Sequence, residues 1–260
     1  MQPYTGFATL YDLFMDNVPY DDWTDYVVHL LKQFQIEQGL VLELGCGTGS
    51  VTRRLAERNF DMIGIDSSEE MLSIAREKSM EDGQNILYLC QDMREFELYG
   101  TVAAVVSVCD SMNYIVTEED LLQVFRLVNN YLDPGGIFIF DLDTQYAYEE
   151  ILGDSTIAEN REEGSFIWEN TYYEEDKMNE INLTLFIPRD ASSETSLYEK
   201  QEETHYRRAY SIDTIKSLVE EAEMDWVAVY DTLTEEEPTL ESERVYIIVR
   251  ERLKKERYNL

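Results

Sequence analysis

Apolar positions along the chain fall into two alternating rhythms. Residues 20–36 (YDDWTDYVVHLLKQFQI) space them three and four apart, which predicts an amphipathic helix. The run LVLELG then leads into glycines and is followed by TGSVTRRLAERN, a strand and then a helix. FDMIGID repeats the strand pattern, and SSEEMLSIAREKSM opens with a serine cap and early glutamates that announce a helix start. NILYLCQD and TVAAVVSVCD read as further strands, EEDLLQVFRLVNNYL as a helix, D-P-G-G as a turn and IFIFDLD as a strand. Strands alternating with helices of this length form βαβ units and a parallel sheet. Their near-continuous apolar character fits burial on both faces.

After Asp143 the rhythm changes. Residues 164–208 contain GSFIWENTYY, KMNEINLTLFIP and SLYEKQEETHYRR, segments with partial alternation and a D-K-M-N turn that predict a small antiparallel sheet. The earlier pattern then resumes with SIDTIKSLVEEAEM as a helix and WVAVYDTL and RVYIIVRERL as strands. The antiparallel piece is therefore read as an insertion within an α/β domain. TEEEPTLESE, between the last two strands, reads as a solvated loop.

Composition narrows the chemistry. The 260 residues are 44% hydrophobic, enough for a globular core, and no apolar run of about 18 residues predicts a spanning helix. MQPYTGFATLYDLF lacks the basic start and cleavage site of a signal peptide, so a cytoplasmic location is expected. The net charge of −33 repels phosphate backbones and anionic lipid heads, which disfavours nucleic-acid and membrane partners. Cys46, Cys90 and Cys109 form no C-x-x-C and are read as small buried thiols. With only His29 and His205 as histidines, no metal site is expected.

The strongest chemical signal is Glu43-Leu44-Gly45-Cys46-Gly47-Thr48-Gly49, between a strand and a helix. Glycines there permit positive φ and close approach of a ligand to the backbone, while the helix start offers unpaired N–H groups. A pyrophosphate-binding G-x-G-x-x-G would place a glycine at position 50, which is Ser50, so a nicotinamide dehydrogenase is disfavoured. Glu43 suits an ammonium better than a phosphate. Asp66, ending the next strand, can accept from ribose hydroxyls, and Asp92, past the third, from an adenine amine over Met93.

ELGCGTG, IGIDSS, CQDMREF and VCDSMNY together resemble the class I S-adenosylmethionine-dependent methyltransferases. The opening F-A-x-x-Y-D-x-x-M, P-Y-x-x-W and C-D-S-x-N-Y are similar to a bacterial subfamily of small-molecule type with an inserted antiparallel sheet. The resemblance implies a Rossmann-like seven-stranded, mostly parallel sheet with helices on both faces. It implies that residues 1–150 and 209–260 bind S-adenosylmethionine, with 1–36 a helical lid. Residues 151–208 would form an antiparallel cap over the acceptor. Glu43, Gly45 and Gly47 would hold the amino-acid end of the cofactor, with Cys46 beside them. Asp66 would bind ribose near Ser67 and Met71; Asp92 and Met93 would serve adenine, with Gln91 also among the cofactor contacts. Cys109 and Asp110 would line the floor, and Tyr11, Tyr20 and Trp23 would close the pocket.

In-line transfer from a sulfonium needs chiefly a positioned nucleophile, plus a base if the acceptor is a hydroxyl or carbon acid. No dedicated catalytic motif is present: Cys109-Asp110-Ser111-Met112 lacks the prolines of the base-amino methylases. Tyr172, Tyr173, His205, Tyr206, Arg207 and Arg208 are candidate acceptor-side groups, with His205 as a candidate base and the arginines as binders of an acidic acceptor or, in preference, as partners of nearby glutamates. A small-molecule acceptor is expected. An RNA methyltransferase and a non-catalytic cofactor-binding module stand as the alternatives, and the oligomeric state is left open.

Overall fold

A computed structural model describes residues 8–189 and 197–252. The first residues of the expected lid, 1–7, and Leu253, placed in the last strand, lie outside the described residues. The chain begins with α1 (Ala8–Phe14) and α2 (Tyr20–Gln33). It continues as β1 (Leu40–Leu44), α3 (Ser50–Glu57), β2 (Asp61–Asp66), α4 (Glu69–Glu81), β3 (Leu87–Cys90) and β4 (Val102–Ser107). A short 3-10 turn, Ser111–Tyr114, precedes α5 (Glu118–Tyr131) and β5 (Leu132–Asp143). Then come β6 (Thr156–Asn160), β7 (Ser165–Tyr173), β8 (Met178–Pro188) and β9 (Tyr198–Arg208). The chain returns through α6 (Ile212–Glu221) to β10 (Met224–Asp231) and β11 (Arg244–Glu251).

Seven strands form one sheet in the order β10-β11-β5-β4-β1-β2-β3, and β6 to β9 form a second, antiparallel one. Strands β1 to β5 run parallel, while β11 pairs antiparallel with both β5 and β10. The predicted α/β sheet with an antiparallel insertion is therefore the observed fold. Three of its helices, α4, α5 and α6, start where short polar side chains cap them. Ser68, Thr117 and Ser211 accept from the backbone N–H groups of Met71, Asp120 and Thr214.

One face of the large sheet packs Phe138 and Phe140 against Phe125 and Leu121 of α5. The other packs Val41, Val106 and Ile139 against Leu30 and Leu31 of α2 and Leu55 of α3. α1 departs from this plan: its Leu10 and Phe14 pack on Phe166, Leu183 and Leu185 of the second sheet. The first helix thus ties the inserted sheet to the rest of the fold.

Three expectations need correction. Asp133-Pro134-Gly135-Gly136 is an irregular stretch inside β5, where the register with β4 shifts between Val102 and Ala104. Pairing with β4 flanks it at Leu132 and Ile137, pairing with β11 starts at Ile137, and the Gly135 N–H donates to Glu251 at 2.9 Å. The second sheet gains the edge strand β6, Thr-Ile-Ala-Glu-Asn, mostly exposed and so without the alternation that marks a buried face. Cys90 is exposed, because it ends the edge strand β3, whereas Cys46 is buried and Cys109 half-buried.

The two sheets are joined at Asn113, which is fully buried. Its amide donates to the carbonyls of Asp143 (3.1 Å) and Arg208 (2.9 Å), and its oxygen accepts from the Asp143 N–H (3.0 Å). Truncating it strands three backbone partners without solvent. Asn113→Ala is expected to lower unfolding free energy by about 2–4 kcal/mol, read as a reduced urea midpoint at unchanged m-value.

Candidate active site

The carboxyl ends of β1, β2, β3 and β4 surround a cavity of about 350 Å3. Its floor is the loop between β1 and α3. Gly45 sits at φ 71°, and a Cβ there would lie 2.7 Å from Ser111, so packing alone forbids a side chain. Gly47, at φ 52°, is different: nothing lies within 4 Å of where its Cβ would be. That bare backbone opens onto the cavity and leaves room for a ligand to lie against it. The Gly45 and Cys46 N–H groups donate to the Ile65 carbonyl at 2.8 and 3.0 Å, holding the loop against β2.

Three acids stand around the loop in unlike states. Glu43 is 3% exposed and accepts from the Thr52 hydroxyl. Burial pushes its carboxyl up to about 8, with the Asp66 charge adding to the rise. Asp66 accepts from the Gly47 and Ser68 N–H groups, each at 2.8 Å. Burial raises it too, against the pull of those bonds. Asp92 is held below the usual carboxylate range by Arg94, whose Nε donates to it at 2.9 Å. Glu43 and Asp66 enter no ion pair among the described residues, so the deepest part of the cavity is a cation-seeking one. Buried carboxylates without a cationic partner are acceptors of the kind that an ammonium and ribose hydroxyls suit, so the groups expected from the sequence fit the chemistry of the cavity.

Comparisons with known proteins agree. A methyltransferase domain family matches residues 41–136. A Bacillus subtilis (strain 168) protein carrying the provisional name methyltransferase YqeM is 36% identical over 244 residues, spanning 94% of this chain and 95% of that one. The crystal structure of an S-adenosylmethionine-dependent methyltransferase from Clostridium acetobutylicum ATCC 824 superimposes with a TM-score of 0.82 at 28% identity. It covers 95% of this chain and 98% of that one. The chain is a class I S-adenosylmethionine-dependent methyltransferase. A more distant relative, a dTDP-3-amino-3,4,6-trideoxy-alpha-D-glucopyranose N,N-dimethyltransferase of Streptomyces venezuelae, is 29% identical over 140 residues, 52% of this chain and 56% of that one.

In this methyltransferase most of the residues singled out from the sequence share the cavity. Tyr11, Tyr20, Glu43, Gly45, Cys46, Gly47, Asp66, Ser67, Met71, Gln91, Asp92, Met93 and Cys109 all line it. Trp23 and Asp110 do not. Trp23 lies behind Tyr20, edge-on at 6.0 Å, with the Arg244 guanidinium 4.9 Å over its ring. Asp110 turns away to ion-pair with Arg244 at 2.9 Å and Arg207 at 2.7 Å. A carboxylate beside two buried guanidinium groups is held by them and cannot also face the ligand.

The acceptor-side candidates also separate. Tyr173 and Tyr206 point to the exposed face of the second sheet, and Tyr172 stacks on Tyr148 at 6.1 Å. Arg208 pairs with Glu118 of α5, a glutamate as expected, whereas Arg207 pairs with an aspartate. His205 is buried on β9 behind Tyr114. Tyr114, Ser111 and Arg94 line the cavity without having been singled out as cofactor contacts. The C-D-S-x-N-Y segment contained two of them, yet nothing in its pattern tells a wall residue from a turn former.

Because Glu43 carries its proton up to about pH 8 in the fold but ionises near 4.5 when unfolded, the native state holds the extra proton between those values. Stability supplied by that difference is complete below 4.5 and is lost as pH rises through 8. Asp66 and Asp141 shift in the same direction, so the difference between proteins isolates Glu43. Glu43→Gln is expected to flatten the decline in ligand-free unfolding free energy between pH 5 and 8, by an amount on the order of a few kcal/mol, read from urea titrations at each pH.

Proposed function

We propose that this methyltransferase methylates a small molecule carrying an amine or hydroxyl, held between the cofactor and a roof made by α1, α2 and the 3-10 turn. The observation that carries the reading is the enclosure of the site. Tyr11 of α1, Tyr20 of α2 and Tyr114 of the 3-10 turn line the same cavity as Glu43 and Asp66, and its volume is that of a small-ligand pocket. The whole-chain charge of −33 adds to this, since a polyanionic acceptor is repelled from most approaches. The relative that methylates an amino sugar, by its name, supplies a precedent for a small amine acceptor.

The cofactor brings a methyl group on a positive sulfur, an electrophile that needs no activation beyond alignment. The chain's own residues provide the rest. Glu43 binds the ammonium of the amino-acid end as a carboxylate and so gives up the proton it holds when the cavity is empty. Gly47 keeps the backbone low enough for that end to pass. Asp66 accepts from ribose hydroxyls with the lone pairs that Gly47 and Ser68 leave. Met93 packs against the adenine, beside Asp92. Tyr11 and Tyr20 exclude water from the face where the nucleophile approaches, which keeps the reacting atoms in a geometry close to attack.

Two measurements test the reading. Asp66→Ala removes charge-assisted hydrogen bonds of roughly 1.5–3 kcal/mol and should weaken S-adenosylmethionine binding by about 10- to 150-fold in calorimetry. Titration at pH 7 in buffers of different ionisation enthalpy should show about one proton released per cofactor bound, a release absent in Glu43→Gln. No heat of binding with the intact protein would sink the assignment of these residues. Labelled methyl from the cofactor should enter the low-molecular-weight fraction of a cell extract; label only in protein or RNA would overturn the small-acceptor reading.

A further inference from the structure

The second sheet buries an ionisable pair that the cofactor site does not use. On the inward face of β9, the Glu203 and His205 side chains are 1% and 3% exposed, with Nε2 of His205 3.2 Å from a Glu203 carboxylate oxygen. Their cross-strand neighbours on β8 are Leu183 and Ile181. A carboxylate and an imidazole in such surroundings lose several kcal/mol of hydration each, and well-packed apolar side chains would serve the fold at least as well. Stability does not account for them.

The pair points toward the cavity through one residue. Nδ1 of His205 lies 3.4 Å from the Tyr114 hydroxyl, and the rings meet edge-on at 6.0 Å. Tyr114 lines the cavity, and Arg207 Nη2 donates to its hydroxyl at 3.0 Å. Arg207 is itself anchored to Asp110, and Tyr148 also lies in the electrostatic field of Tyr114. One orientation satisfies these three contacts together: Nε2–H donates to Glu203, Tyr114 O–H donates to Nδ1, and the Tyr114 oxygen accepts from Arg207.

The geometry points to a proton relay, Tyr114 to His205 to Glu203, that takes the proton of the acceptor during methyl transfer. This deepens the small-acceptor reading and rests on it. As the acceptor's lone pair forms the bond to the methyl carbon, the pair from the broken carbon–sulfur bond remains on sulfur. The acceptor's proton passes to the Tyr114 oxygen, and the Tyr114 proton passes to Nδ1. The products are a methylated acceptor, an unchanged tyrosine and an imidazolium beside a carboxylate. Tyr114 is the catalytic residue, since it alone of the three can touch the acceptor. His205 and Glu203 act through it. Arg207 lowers the energy of the oxygen while the two protons are in transit. The relay has the logic of a nucleophile–base–carboxylate triad with the tyrosine serving as proton carrier. The class of acceptor follows: one that must lose a proton, a hydroxyl or a primary or secondary amine, and not a tertiary amine or thioether.

The test uses the full chain saturated with S-adenosylmethionine and labelled with nitrogen-15 histidine, in a His29→Gln background that leaves His205 as the sole signal. The relay requires the His205 ring proton on Nε2 with Nδ1 accepting from Tyr114, and a shift of the Nδ1 resonance in Tyr114→Phe. In parallel, wild type, Tyr114→Phe and Glu203→Gln are given labelled cofactor and the low-molecular-weight fraction of a cell extract. Turnover should fall about 100-fold in both variants while cofactor affinity stays within threefold. An Nδ1–H tautomer, or Tyr114→Phe turnover within threefold of wild type, overturns the relay and leaves the small-acceptor reading intact. No labelled small molecule with wild type overturns that reading, and the relay with it.

Discussion

The site depends on one carboxylate, that of Asp141 near the end of β5. It is fully buried and accepts from two successive backbone N–H groups, Cys109 at 3.0 Å and Asp110 at 2.8 Å. Those two residues sit at φ 63° and 54°, a left-handed pair without a glycine. Each costs about 1–3 kcal/mol and persists only where its surroundings over-determine it. Asp141 does so from below, and Arg244 fixes Asp141 in turn at 3.0 Å while reaching Asp110 and Asp143. The pair bends the chain sharply off β4. That bend brings Ser111 against Gly45, puts Tyr114 in the cavity wall and turns Asn113 toward the second sheet. Without it the cavity would have three sides.

Charge at this end of the large sheet is arranged in two tiers. The lower tier, Asp110, Asp141 and Asp143, is ion-paired with Arg207 and Arg244 within the fold and does architectural work. The upper tier, Glu43 and Asp66, has only hydroxyl and amide donors for company. Burial raises Asp141 of the lower tier as well, but there guanidinium groups already oppose it, whereas in the upper tier that relief is left to a ligand's cation. A carboxylate with a guanidinium partner has no need of a ligand; one with a single hydroxyl partner does. The same residue type thus takes opposite roles within one crevice, and its partners decide which.

Much of this was legible from the chain. The period change at Asp143, the capped helices and the glycine loop each express a local rule, and local rules survive folding. Gly45, Gly47, Glu43 and Asp66 could be placed because their backbone positions, at strand ends, are what the strand–turn–helix pattern predicts. Asp110 and Trp23 could not. Whether Asp110 faces the cavity or the interior turns on Arg207 and Arg244, roughly a hundred residues further along, and no periodicity reports that. Trp23 packs under the same Arg244. β6 escaped notice because an edge strand with two wet faces carries no alternation, and the Asp133–Gly136 stretch because turn residues inside a bulge look like turn residues in a turn. Tyr114 was visible as part of a motif, but its neighbours on β9 arrive only through the pairing of two sheets.

The second sheet also limits how such an enzyme can diversify. Glu203, His205 and Arg207 share the inward side of β9, while Thr204 and Tyr206 face out. Because side chains in a strand alternate strictly, a single inserted or deleted residue upstream would swap the two sets and present a threonine and a tyrosine to the interior. Lineages can change the acceptor by replacing residues in place, or by shifts of two that preserve the parity of the strand. Intermediate steps are closed to them, so related enzymes should vary in side-chain identity along β9 far more freely than in its length.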